Sequence, residues 1–169
     1  MTSELTRMVP LSKIGPAGLA ILVRATPEEC AAVAARMELP AIQSLECFFN
    51  LTAEDDGASV FAQGRLAARV TRVCVVSAEE FETAVEDEFA IRLVPAGTER
   101  DDPDPDLPDE VPYEMDAIDL GEATAEQLGL ALDPYPRMEG ATMPDGEGEA
   151  SDSPFSVLSQ RYGPDKTRH

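Results

Sequence analysis

The stretch LECFFNLTAEDDGASVFAQGRLAARVTRVCVV, Leu45–Val76, decides the fold because its apolar residues recur at every second position on both sides of a turn. Leu45, Cys47, Phe49 and Leu51 fall on one face of an extended chain, and Glu46, Phe48 and Asn50 fall on the other. AEDDG turns the chain, and Leu66, Ala68 and Val70 then alternate with Arg65, Ala67 and Arg69. A period of two with apolar and charged parities describes a sheet buried on one face. The run Ala58–Val76 is long for one strand, so Gly64 is expected to mark a bulge or bend in it.

The same logic extends in both directions. Upstream, after the turn GPAG, Leu19, Ile21 and Val23 alternate with Ala20, Leu22 and Arg24 and predict another strand. Thr26-Pro27-Glu28-Glu29 then forms a capping box. Thr26 is the N-cap, Pro27 takes the first helical position, and Glu29 reaches back to the orphan amide. A helix is predicted from Pro27 to about Met37, burying Val33 and Met37 and closed by Pro40. Downstream, Phe81, Val85, Phe89, Ile91 and Leu93 share one parity of a strand over Phe81–Val94, opposed by Glu82, Glu86, Glu88 and Arg92. The predicted class is α+β, an antiparallel β-sheet with the N-terminal helix packed on its apolar face.

Charge divides the chain further. Its 169 residues carry 33 acids and 13 Lys and Arg, a net charge of -20. Residues 1–95 hold 14 acids and 8 bases, residues 96–153 hold 18 and 2, and residues 154–169 hold 1 and 3. The acidity therefore belongs mainly to a segment outside the predicted sheet. Within it, AGTERDDPDPDLPDEVP lacks the large apolar groups that would offset the entropy of ordering, so 96–117 is expected to be a disordered acidic linker. Asp119 then offers an N-cap with Glu122 three residues on, and Leu120, Leu128, Ala131 and Leu132 fall close to one helical face. Pro134 and Pro136 stop that helix. The expected organisation is a sheet-and-helix core at 1–95, the linker, a capped helical segment at 118–137 that docks back on the core, and a mostly flexible tail at 138–169 containing PFSVL.

Several function classes are disfavoured. The single histidine, His169, is the last residue, poorly placed for a packed Ser/His/Asp or Cys/His site. No phosphate loop occurs. Cys30, Cys47 and Cys74 are widely spaced and odd in number, which fits buried thiols in a reducing cytoplasm rather than a disulfide framework. Cys74 alone makes a poor zinc site, and the prolines in DDPDPD spoil a calcium loop. No apolar run approaches the ~20 residues of a membrane span, and the N-terminus lacks the layout of a secretion signal. No catalytic residue, metal, cofactor or small-molecule substrate is expected.

The candidate contact residues are few. Arg65 and Arg69 share a strand parity, with Arg72 on the other, and the three could touch phosphates. The competing expectation pairs them with Glu82, Glu86 or Glu88 on the neighbouring strand. Tyr135 and Arg137, in DPYPR, could face a partner.

Four stretches in order, ATPEECAAVAARMEL, GRLAARVTRVCVVSAEEFETAVEDEF, IDLGEATAEQLGLALDPYPR and PFSVL, give a sequence that resembles the YceD family, the large ribosomal RNA subunit accumulation proteins. The resemblance implies a cytoplasmic bacterial protein, with no established enzymatic reaction, that supports synthesis, processing or stability of large-subunit ribosomal RNA. It implies contact with that RNA, or with a basic ribosomal protein or assembly factor. Many members carry a C-x-x-C in the second stretch and further cysteines after the third. Here Cys74 stands at the first position, Ser77 replaces the second, and DPYPRMEGATMPDG has none, so the resemblance carries no metal site over. Two alternatives use other features: an acidic binding module or chaperone for cationic proteins, and a redox protein built on Cys74.

Overall fold

The structure, a computed structural model, describes residues 3–102 and 104–142. Its elements are β1 (Met8–Pro10), a short 3-10 turn (Leu11–Lys13), β2 (Leu19–Arg24), α1 (Pro27–Arg36), β3 (Ala41–Ala53), β4 (Val60–Val73), β5 (Glu80–Pro95), β6 (Asp109–Tyr113), β7 (Ala117–Asp119) and α2 (Leu120–Ala131). The class is α+β. The main sheet has the order β2-β3-β4-β5-β6, and β1 pairs with β7 in a two-stranded ribbon.

The period-two pattern sets the sheet. Leu45, Cys47, Phe49 and Leu51 of β3 are buried, as are Val60, Ala62, Leu66, Ala68 and Val70 of β4. Cross-strand pairing is antiparallel from β2 through β5, with Val23 opposite Cys47 and Cys47 opposite Leu66. Both helices cover this face. From α1 come Cys30, Val33 and Ala34, and from α2 come Leu120, Ala123, Ala125 and Leu128.

α1 begins at the expected box. Thr26 accepts from Glu29 N, and the Glu29 carboxylate accepts from Thr26 N at 2.8 Å. The helix ends before Pro40, in a reversed hydrogen-bond pair from Glu38 N to Ala35 O and Leu39 N to Ala34 O, with Glu38 at φ 56. In α2, Asp119 caps through its side chain, accepting from Gly121 N and Glu122 N. Glu122 does not complete a box; its carboxylate instead takes hydrogen bonds from Arg36 and Ser3. Asp119 also accepts from Arg7 N at 2.7 Å, which ties the N-terminal segment across the start of α2. Gly121 makes that crossing possible, since a Cβ there would lie 2.4 Å from the Leu5 carbonyl oxygen.

Three expectations need correction. Gly64 is not a bulge: β4 runs straight through it, and the register irregularity falls at Gln43 between Ile42 and Ser44 of β3. Gly64 lies under the ring of Phe89, its partner on β5, where a Cβ would come within 2.0 Å of the ring. Second, the sheet is not wholly antiparallel, because β6 joins β5 in parallel, with Ile91 opposite Asp109 and Pro95 opposite Tyr113. Third, that strand lies within the segment expected to be a linker. Val111 and Tyr113 pack towards the core, Tyr113 Oη donates to Ala58 O at 2.6 Å, and Pro112 is tolerated because β6 is an edge. PFSVL and the rest of 143–169 lie outside the described residues.

Candidate binding surface

With both helices on one face, the opposite face of the sheet is left open. Its rows follow from the register: Leu22, Phe48, Arg65 and Glu88 lie side by side across β2 to β5, and Arg24, Glu46, Ala67 and Glu86 form the adjacent row. Leu22 is 50% exposed and Phe48 41%, both large apolar groups on a solvent face. Arg65 pairs with Glu88 at 2.9 Å, and Arg24 with Glu46 at 3.1 Å. Both pairs are exposed, and such bridges contribute only about 0–1 kcal/mol each. Arg69 stands opposite Ala84 and has no ion pair among the described residues. The face is thus divided, with basic residues along β4 and the carboxylates of Glu80, Glu82, Glu86 and Glu88 along β5.

At the β5–β6 end, Arg92 closes the row by holding Glu54 at 2.6 Å and Glu110 at 2.8 Å. Arg100 reaches the same Glu110 at 2.9 Å. The backbone N–H of Arg100, burial, and the two guanidinium groups act on the Glu110 carboxyl together, and the net result is a lowered pKa. This network neutralises an acid of the 96–117 segment and anchors β6 to the sheet.

The other sequence-selected residues occupy a different place, the corner where the chain after α2 meets the β4–β5 turn. Arg72 donates to the Asp133 carbonyl, a cation at the end of α2 where the helix dipole is negative. Val75 N donates to Pro136 O at 2.9 Å, and Met138 N donates to Cys74 Sγ at 3.3 Å. Tyr135 is 71% exposed, and Arg137 is exposed beside it. The structure therefore separates Arg65 and Arg69, on the open face, from Arg72, Tyr135 and Arg137, at the corner.

Cys74 sits at the centre of that corner. Its side chain is buried, and hydrogen bonds to the sulfur from Met138 N, the Ser77 hydroxyl and Ser77 N hold its pKa down to about 7, against a weaker upward push from burial. Cys47, deep under α2, is pushed up to about 12 by burial. One thiol and one hydroxyl do not make a tetrahedral zinc donor set. No group of three or more His, Cys, Asp or Glu that could hold a metal occurs among the described residues. The convergence of Cys74, Ser77 and Met138 was not legible in the sequence, because it depends on where α2 delivers the chain.

A groove of about 750 Å³ lies beyond the β1–β7 ribbon, between Tyr113, Met115, Ile118 and the start of α2. Its one lining cation is committed: Arg36 bonds Glu122 at 2.7 Å and Glu4 at 3.2 Å, while Glu114 and Glu126 line the groove without an ion pair among the described residues. No helix among the described residues is long and apolar enough to cross a membrane.

The fold and surface define an α+β protein with a helix-covered core, an open mixed-charge sheet face and no assembled metal site among the described residues. Residues 62–160, from β4 to beyond α2, match the family model for Large ribosomal RNA subunit accumulation protein YceD. The chain belongs to that family, and its role is ribosome-related. Searches of curated proteins and of solved structures returned no match.

Proposed function

We propose that the protein is a non-enzymatic cytoplasmic factor that supports the synthesis, processing or stability of large-subunit ribosomal RNA by binding a basic ribosomal protein or assembly factor. The observation that carries this reading is the charge arrangement of the open face. Two of its arginines, Arg24 and Arg65, are already paired with glutamates, while Glu80, Glu82 and Glu86 of β5 have no ion pair among the described residues. RNA phosphates meet net repulsion on such a surface, and a cationic protein meets attraction.

A second reading rests on Phe48. An exposed aromatic flanked by Leu22 and Arg65, with Arg69 nearby, could stack an unpaired base and touch its phosphate. Binding of the full chain to purified large-subunit proteins and, separately, to protein-free large-subunit RNA separates the two. The proposal expects salt-sensitive binding to the proteins and none to the bare RNA. Tight binding to bare RNA, weakened by Phe48→Ala, would establish the second reading instead.

A further inference from the structure

β5 extends from Glu80 to Pro95, but β6 pairs only with Ile91–Pro95. Along residues 80–90 the edge facing away from β4 has no backbone partner among the described residues. An unpaired edge of this length is a template for another strand, and proteins guard such edges by shortening, bulging or covering them or by placing charges on them; the charges here are all acidic, which repels most strands and selects a basic one. This one is long and regular. Its side chains differ by face. On the open face, Glu80, Glu82, Glu86 and Glu88 are exposed at alternate positions, interrupted by Ala84. On the helix-covered face, Phe81, Thr83, Val85, Asp87 and Phe89 are all only half-buried, so the apolar layer stops short at this edge, with the Asp87 carboxylate set between Val85 and Phe89 as one more acid for a basic side chain to meet.

We propose that the free edge of β5 is a docking site for an extended, basic protein segment added as a further strand, with Lys or Arg at alternate positions and apolar residues between them. This rests on the reading of a cationic ribosomal partner and supplies its binding mode. Backbone N–H and C=O groups of the incoming segment pair with those of β5. Its basic side chains stand opposite Glu82, Glu86 and Glu88, at cross-strand distance from each carboxylate. Its apolar side chains extend the layer over Phe81, Val85 and Phe89. A second copy of this chain fits poorly, because edge-to-edge pairing would oppose two rows of carboxylates. RNA is disfavoured by the same row.

The test uses the full-length protein and three synthetic peptides long enough to span residues 80–90. The first alternates Lys with Val and Thr, the second has the same composition with its lysines grouped at one end, and the third repeats the first with N-methylated backbone amides. Amide hydrogen exchange locates the bound peptide. The proposal expects the alternating peptide to protect amides within 80–90. It expects the other two peptides, and the charge-reversed protein Glu82→Lys/Glu86→Lys, to lower affinity by about tenfold or more. Both substituted side chains are exposed, and an unchanged melting transition shows the fold intact. Protection in residues 96–110 instead, or equal binding of the grouped or N-methylated peptide, overturns strand addition at β5 and leaves the cationic-partner reading standing. Binding of none of the peptides likewise overturns strand addition at β5, and the cationic-partner reading then falls only if the full chain also fails to bind purified large-subunit proteins.

Discussion

At the scale of single residues, Cys74 shows how position alters chemistry. From its neighbours in RVCVVS it reads as a small buried hydrophobe, and it is buried. The hydrogen bonds donated by Met138 N and Ser77 nevertheless favour the thiolate, so its pKa falls from 9.0 to about 7. For a group depressed in this way, the linked stability is present above the unfolded value near 9 and is lost as pH falls through about 7. Thiolate absorbance at 240 nm should therefore show one group titrating near 7, abolished by Cys74→Ser, with Cys47 silent throughout that range. A first thiol transition near 9 or above would remove the hydrogen-bonded corner from the account. The C-x-x-C stretch singles out Cys74 in the sequence, but its partner Met138 lies 64 positions away and reaches the sulfur only because α2 delivers the chain there. Arg72, a candidate phosphate contact on the opposite parity from Arg65 and Arg69, donates to the Asp133 carbonyl because that parity faces α2.

At the scale of elements, alternation was the most legible signal, and β2 to β5 follow it with their buried and exposed parities as read. Gly64 reads as a bulge or bend in the sequence because a glycine in a strand has two uses, a bend or a space, and sequence does not distinguish them. Here it is a space. Phe49 and Phe89 both stand opposite Gly64 on the flanking strands and meet edge to face with centroids 5.8 Å apart. Gly64→Ala should cost about 1–3 kcal/mol by overpacking against the Phe89 ring. In a denaturant-unfolding double-mutant cycle, Phe89→Ala should recover a large part of that cost. Additive effects of the two substitutions would show that the ring does not depend on the gap. β6 escaped the sequence reading for another reason: a proline-rich acidic run normally lacks the means to order itself. Glu110 is held by Arg92 and Arg100, and Val111 and Tyr113 supply the apolar parity, which are tertiary contacts no local window contains.

At the scale of the molecule, the helices take one face of the sheet and leave the other face, the β5 edge over 80–90 and Tyr135 and Arg137 after α2 uncovered among the described residues. The four-stretch resemblance gave the family from sequence, and the matched region covers β4, β5, β6, β7 and α2. The placement of charge gave less. Most of the acidity reads as a linker, and Glu82, Glu86 and Glu88 read as the solvent parity of a strand; that the edge of this strand is unpaired over 80–90 among the described residues depends on where β6 docks, which no local window contains. A row on a rigid strand has a fixed spacing near 7 Å between alternate side chains, which a disordered run of acids does not. For the cationic partner proposed above, that difference means recognition of one pattern of charges rather than of positive charge in general. The most direct measurement is the ratio of large- to small-subunit ribosomal RNA in cells lacking the protein, complemented with the wild-type chain or with Glu82→Lys/Glu86→Lys. The ratio should fall on removal, return with the wild-type chain and stay low with the charge-reversed one. An unchanged ratio and an unchanged large-subunit particle in the absence of the protein would contradict the proposed function.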